Sequence, residues 1–163
     1  MDGGTNMGDA WYDESLVDFF VYSRPAIERL PPHDVDHVIV SVTSVTEDRA
    51  RLPASPHCLG VLRLAFPDAD VPGDTITEGE LFSEEHADRI WTFVLDHHAE
   101  IDRIVAHCDA GMSRSPAIAA AISKALTGDD TEFFRRYRPN MRVYQTLVRV
   151  FHGRFKPLLS HQP

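Results

Sequence analysis

The sequence is poor in cysteine: 163 residues hold two, Cys58 and Cys108, 50 positions apart and without CxxC spacing. That excludes a disulfide framework and a cysteine-rich zinc site, and leaves room for a lone reactive thiol. Long apolar runs are missing as well. No stretch approaches the roughly 20 residues needed to span a bilayer, and residues 1–15 are polar and acidic where a secretory signal would be basic and then apolar. A cytoplasmic protein without a membrane partner is expected. Positive charge is scarce: 16 Lys and Arg face 25 Asp and Glu, a net charge of −9 at pH 7. Such a surface repels phosphate backbones and anionic lipid, so nucleic acid is not an expected partner. Internal repeats and low-complexity linkers are absent from the sequence too. Of the nine His, His97 and His98 are adjacent and no pair has a convincing carboxylate partner. They read as solvated helix ends, and neither a metal nor a cofactor is expected.

What is present fits one folded domain: 43% hydrophobic and 25% charged residues, both near the globular average. Residues 1–14 and 159–163 are expected to be flexible, with one domain over 15–158 between them.

Residues 17–22 read as a first strand, followed by a short helix that Ser23 caps with Pro25 in its first turn. Residues 37–45, with Val38, Ile39, Val40, Val42 and Val45, suit a strand buried on both faces of a sheet, and residues 58–66 give another. Residues 67–77, carrying two Pro, one Gly and Asp68, Asp70 and Asp74, cannot hold a regular element and read as a loop. Ser83 opens a helix whose Ala87, Ile90, Trp91 and Val94 share one face. A short strand over 101–107 leads to a mostly apolar helix over 115–126 that stops near Gly128. Thr131 and Asn140 stand at N-cap positions of two further helices, one with Phe133, Phe134 and Tyr137, the other with Val143, Leu147, Val150 and Phe151. The order β-α-β-β-α-β-α-α-α predicts an α/β fold, with a central, mostly parallel sheet of about four or five strands flanked by helices.

Between the last strand and its helix lies His107-Cys108-Asp109-Ala110-Gly111-Met112-Ser113-Arg114-Ser115-Pro116. A Cys and an Arg six positions apart can close a loop whose backbone N–H groups converge on one point, above the unpaired amides of a helix start. That geometry suits a tetrahedral dianion. Gly111 can take positive φ and let the chain curl inward, and Arg114 offers a planar fork for two phosphate oxygens. The same environment favours thiolate at Cys108, making it a nucleophile.

This segment, with His, Cys, Gly, Arg and Ser at fixed offsets after a strand, resembles the phosphate loop of the cysteine-dependent protein phosphatases, most closely the compact dual-specificity group. The likeness runs from about residue 37 to 151 in the order of elements. Low-molecular-weight phosphatases and arsenate reductases carry a related loop near the N-terminus, and rhodanese-like loops show one residue fewer before the Arg, so both fit less well. The resemblance implies the phosphatase-type fold and four roles. Cys108 would attack phosphorus. Asp109, Ala110, Gly111, Met112, Ser113 and Arg114 would bind the phosphate, His107 would support the loop, and Ser115 would steady the leaving thiolate. It further implies a general acid on the 67–77 loop, for which Asp68 stands first, Asp70 second and Asp74 third.

Each residue also has a plainer reading: Cys108 as a small buried hydrophobe, the Asp residues as turn formers, Ser115 as an N-cap before Pro116. Cys58 reads as core, with a protective disulfide to Cys108 as an alternative. Arg24 reads as a surface residue, and Tyr137, Arg138 and Asn140 as packing and capping residues. The expected substrate is a phosphorylated protein or peptide, phosphotyrosine first, because the loop has no Lys or second Arg for a polyanion. The expected oligomeric state is a monomer. The competing class is a catalytically silent module of the same fold that binds phosphorylated partners.

Overall fold

The structure, a computed structural model, describes residues 17–45 and 48–159. Four strands form one sheet: β1 (Asp18–Ser23), β2 (His37–Thr43), β3 (Cys58–Ala65) and β4 (Arg103–Cys108). Their order is β1-β4-β2-β3 and every pairing is parallel. β2 lies between β3 and β4 and is buried along its whole length, which is why its sequence is a β-branched run rather than an alternating one. Because parallel strands need crossovers, all four carboxyl ends collect at one edge of the sheet. Ligands of such sheets bind at that edge.

Six helices are described: α1 (Arg24–Arg29), α2 (Glu84–His97), α3 (Arg114–Thr127), α4 (Thr131–Arg136), α5 (Met141–Val150) and α6 (Lys156–Leu159), the last two joined by a π-turn over Phe151–Phe155. One sheet face carries the main core, where Val38, Val40 and Ile104 meet Ile90, Trp91 and Val94 of α2, Ile118 and Ile122 of α3, and Leu147 of α5. Trp91 is fully buried and its indole N–H donates to the Leu147 carbonyl at 2.9 Å, so its polar atom is satisfied inside the core. The other face carries a small cluster of Ile27, Ile39 and Val105 under α1. α3 is buried on almost every side, which explains its apolar, Ala-rich sequence. No helix among the described residues is long and apolar enough to cross a membrane.

The sequence places most elements correctly. Ser23 caps α1 by accepting from Ala26 N, Ser83 caps α2, and Asn140 caps α5. The face of α2 formed by Ala87, Ile90, Trp91 and Val94 is the buried one. Gly128 ends α3 in the left-handed region at φ 84°. Residues 67–77 are irregular, as expected.

Some expectations need correction. β2 ends at Thr43, and Val45, read as part of it, is 55% exposed, since β3 offers partners only as far as Thr43↔Ala65. β4 begins at Arg103 rather than 101 and runs to Cys108. Thr131 is the first helical residue of α4; Asp130 occupies the cap position, and Asp129 accepts the Thr131 N–H at 2.9 Å. His97 is not merely solvated: its Nδ1 bonds the Phe93 carbonyl at 2.8 Å and its ring packs on Phe93. Leu159, assigned to a flexible end, closes α6 and packs against the core. Residues 1–16 and 160–163, and the flexibility expected there, lie outside the described residues.

Candidate active site

The loop after β4 curls back over the carboxyl edge of the sheet. Gly111 has φ 70°, and a Cβ there would sit 2.6 Å from Ser23 N and 2.7 Å from Tyr22 C. Only glycine tolerates both that conformation and backbone at that distance. Three loop carbonyls are tied outward by flanking backbone: Asp109 O accepts from Arg24 N at 3.0 Å, Met112 O from Arg138 N at 2.9 Å and Ser113 O from Asn140 N at 3.0 Å. In a trans peptide the N–H opposes the carbonyl. The N–H groups of Ala110, Ser113 and Arg114 therefore point away from those flanking partners, and those of Ser113 and Arg114 stand at the start of α3, where a helix terminus favours an anion.

Cys108 ends β4 and is 2% exposed. Its Sγ lies 3.1 Å from Ser115 Oγ and accepts from Ser115 N at 3.4 Å. Ser115 is thus not the N-cap of α3, a position held by Ser113; its hydroxyl is committed to the sulfur. His107, fully buried, pairs its Nε2 with Ser41 Oγ on β2 at 2.6 Å, fixing β4 to β2 beneath the loop. Its Nδ1 is buried against the Cys108 backbone without a hydrogen bond of good geometry, and burial pushes its pKa down to about 4. His107 is neutral at physiological pH.

Arg114, 4% exposed, spreads its guanidinium over the residues that follow β2, β3 and β4. Nη1 donates to Phe66 O at 2.9 Å and to Ser44 Oγ at 3.3 Å, and Nη2 pairs with Asp109 Oδ2 at 2.9 Å. Its Nε is buried with no partner. A buried cationic donor left unpaired is costly unless something binds there.

Asp68 is joined to the loop directly. Its Oδ1 accepts from Ser113 Oγ at 2.8 Å and from Asn140 Nδ2 at 3.0 Å. Together with the Arg114 to Phe66 bond, this seats the start of the 67–77 segment on the Cys108 loop. Asp68 shares an open cleft with Asp70, Ser113, Arg138 and Asn140. Asp70 and Asp74 are exposed, and neither meets the loop through a hydrogen bond among those described.

The structure therefore brings Cys108, Arg114, Ser115, His107, the loop residues and Asp68 together, and separates Asp74 and Cys58 from them. Cys58 pairs with His37 at the amino end of the sheet, level with Arg103, whereas Cys108 ends β4 five residues later. At about 3.3 Å per residue along the strand, plus two strand spacings of about 4.8 Å, the pair lies far beyond the reach of a disulfide, about 7 Å between Cα atoms. The protective disulfide is excluded in this fold, and burial pushes the Cys58 thiol pKa up.

Sequence reasoning missed several contacts. Ser41 and the Phe66 carbonyl give no chemical signal in one dimension. Asn140 was legible as a cap but not as a partner of Asp68. Arg24, read as surface, holds the Asp48 and Arg49 carbonyls at 2.7 and 3.1 Å and pairs with Glu28 at 3.3 Å, pinning the segment after β2 beside the loop.

No protein-family profile matches the sequence, and a search of curated proteins returns no match. Solved structures do match. Human DUSP28 is similar over 88% of this chain and 95% of its own, at 17% identity and a TM-score of 0.53. A human tyrosine phosphatase-like serine/threonine/tyrosine-interacting protein is similar over 79% of this chain and 87% of its own, at 16% identity and a TM-score of 0.51. The four-stranded parallel sheet with its flanking helices is thus the fold of the compact dual-specificity phosphatases. The fold expected from the Cys108 loop and the order of elements is the one observed.

Proposed function

We propose that the protein is a phosphomonoester hydrolase of the protein tyrosine or dual-specificity type, working through a phosphocysteine. The observation that supports this reading is that one loop joins the pieces: Cys108 Sγ meets the Ser115 hydroxyl at 3.1 Å, and Ser113, two residues before, meets Asp68 at 2.8 Å. In the first step the Cys108 thiolate forms an S–P bond as the ester P–O bond breaks, and Asp68 gives its proton to the departing oxygen. The loop N–H groups and Arg114 hold the non-bridging oxygens, with the unpaired Nε as the donor left for one of them. In the second step the Asp68 carboxylate takes a proton from water, whose oxygen bonds phosphorus as the S–P bond breaks, and Ser115 donates a hydrogen bond to the leaving thiolate.

A phosphotyrosine protein or peptide is the favoured substrate. Val45, Val71, Met112 and Met141, all at least 38% exposed, follow or belong to the segments that build the site, and exposed apolar side chains on those segments suit an aryl ring better than a polyanion. Action in the cytoplasm as a monomer belongs to the same proposal, and free Cys58 and Cys108 are compatible with a reducing compartment.

A second reading, a silent phospho-recognition module, is favoured by the likeness to a protein described as phosphatase-like and interacting. Hydrolysis of an aryl phosphate and a phosphotyrosine peptide by wild type, Cys108→Ser, Asp68→Asn and Asp70→Asn separates the two. Release of phosphate that Cys108→Ser abolishes supports the enzyme; a folded, inert wild type that still binds phosphopeptide supports the module.

A further inference from the structure

Asn140 does more than a cap requires. Its Oδ1 accepts from Val143 N at 3.0 Å and starts α5, a task that Ser, Thr or Asp performs about as well. Its Nδ2 donates to Asp68 Oδ1 at 3.0 Å and to Ala69 O at 3.3 Å, and its backbone N–H holds the Ser113 carbonyl at 3.0 Å. Among the favoured caps only Asn carries an NH2 arm beside its acceptor. The cap also fixes the amide's orientation: with Oδ1 committed to a backbone donor, Nδ2 must face Asp68. Asn140 is 7% exposed, so this arrangement is built into the interior.

Resting on the phosphatase reading, we propose that Asn140 is a positioning residue for the general acid. It joins α5, the Asp68 segment and the Cys108 loop, and together with Ser113 it occupies Asp68 Oδ1. Oδ2 is then the oxygen that carries the proton and delivers it to the departing oxygen of the ester. The acid is seated on the loop before substrate arrives.

The test is a leaving-group series on Asn140→Asp and Asn140→Ser, both of which retain a capping oxygen for α5. Neither presents the NH2 arm to Asp68. For phenyl phosphate, whose leaving oxygen needs a proton, kcat/KM, which reports formation of the phosphocysteine and not its hydrolysis, is expected to fall about 10- to 100-fold. For a dinitrophenyl phosphate, which leaves well unprotonated, the loss is expected to stay within about threefold. In an Asp68→Asn background the same substitutions add no leaving-group-dependent loss. Equal losses for both esters, or full additivity with Asp68→Asn, overturn the positioning role and leave the phosphatase reading intact. A wild type inert toward both esters overturns the phosphatase reading and this proposal together.

Discussion

Acidification attacks this fold through His107. The imidazole is fully buried beneath the Cys108 loop, and its pKa falls from 6.5 to about 4 because burial disfavours the charged form. A histidine with a lowered folded-state pKa stabilises the fold fully above pH 6.5, and that contribution is lost as pH falls toward 4, since the unfolded chain binds the proton first. Between pH 7.5 and pH 5 these values make the His107 contribution about 2 kcal/mol, or about 4–8 °C in Tm for a chain of this size. The assay is denaturant or thermal unfolding at both pH values for wild type and His107→Gln. The Gln variant starts less stable, but carboxylates and the remaining histidines titrate in both proteins, so the difference in slope belongs to His107. Wild type should lose about 2 kcal/mol more than the variant over this interval. Equal pH dependence in the two would refute the buried neutral imidazole.

Gly111→Ala places a methyl within 2.7 Å of the Tyr22–Ser23 backbone at positive φ, and should cost about 1–3 kcal/mol and most of the aryl phosphatase activity, read by melting and turnover together. Arg114→Lys keeps the charge but loses the fork that spans Phe66 O and Asp109. Phosphate release should fall about 10²- to 10³-fold, with a smaller effect on stability than Arg114→Ala. Asp68→Asn should slow phenyl phosphate hydrolysis about 10²- to 10⁴-fold, while Asp70→Asn, whose carboxylate is exposed, stays near wild type; comparable losses would dissolve the assignment of the acid.

Much of the fold was legible because its signals are local. The β-branched run of β2 marks a central strand, the spacing of Ala87, Ile90, Trp91 and Val94 marks one helix face, and Gly128 marks a stop. The Cys108 to Ser115 segment was legible because five residues between Cys and Arg, a glycine among them and a following helix already define a closed anion loop. Ends of elements were less so, since the loss of Val45 from β2 depends on where β3 stops offering partners. Contacts across the chain were not legible at all. Ser113 and Asn140 meet Asp68 from 45 and 72 residues away, and Arg114 meets a backbone carbonyl that any residue at position 66 would present. The separation of Cys58 from Cys108 likewise follows from strand register, which composition does not encode.

The central claim is that Cys108 carries the phosphoryl group. Rapid acid quenching during turnover of an aryl phosphate, followed by mass spectrometry of the digested protein, tests it directly. The account predicts one phosphoryl mass on the peptide containing Cys108, accumulating further in Ser115→Ala, where the thiolate leaves more slowly, and missing in Cys108→Ser. Steady turnover with no labelled protein, or with the label on another residue, would contradict it.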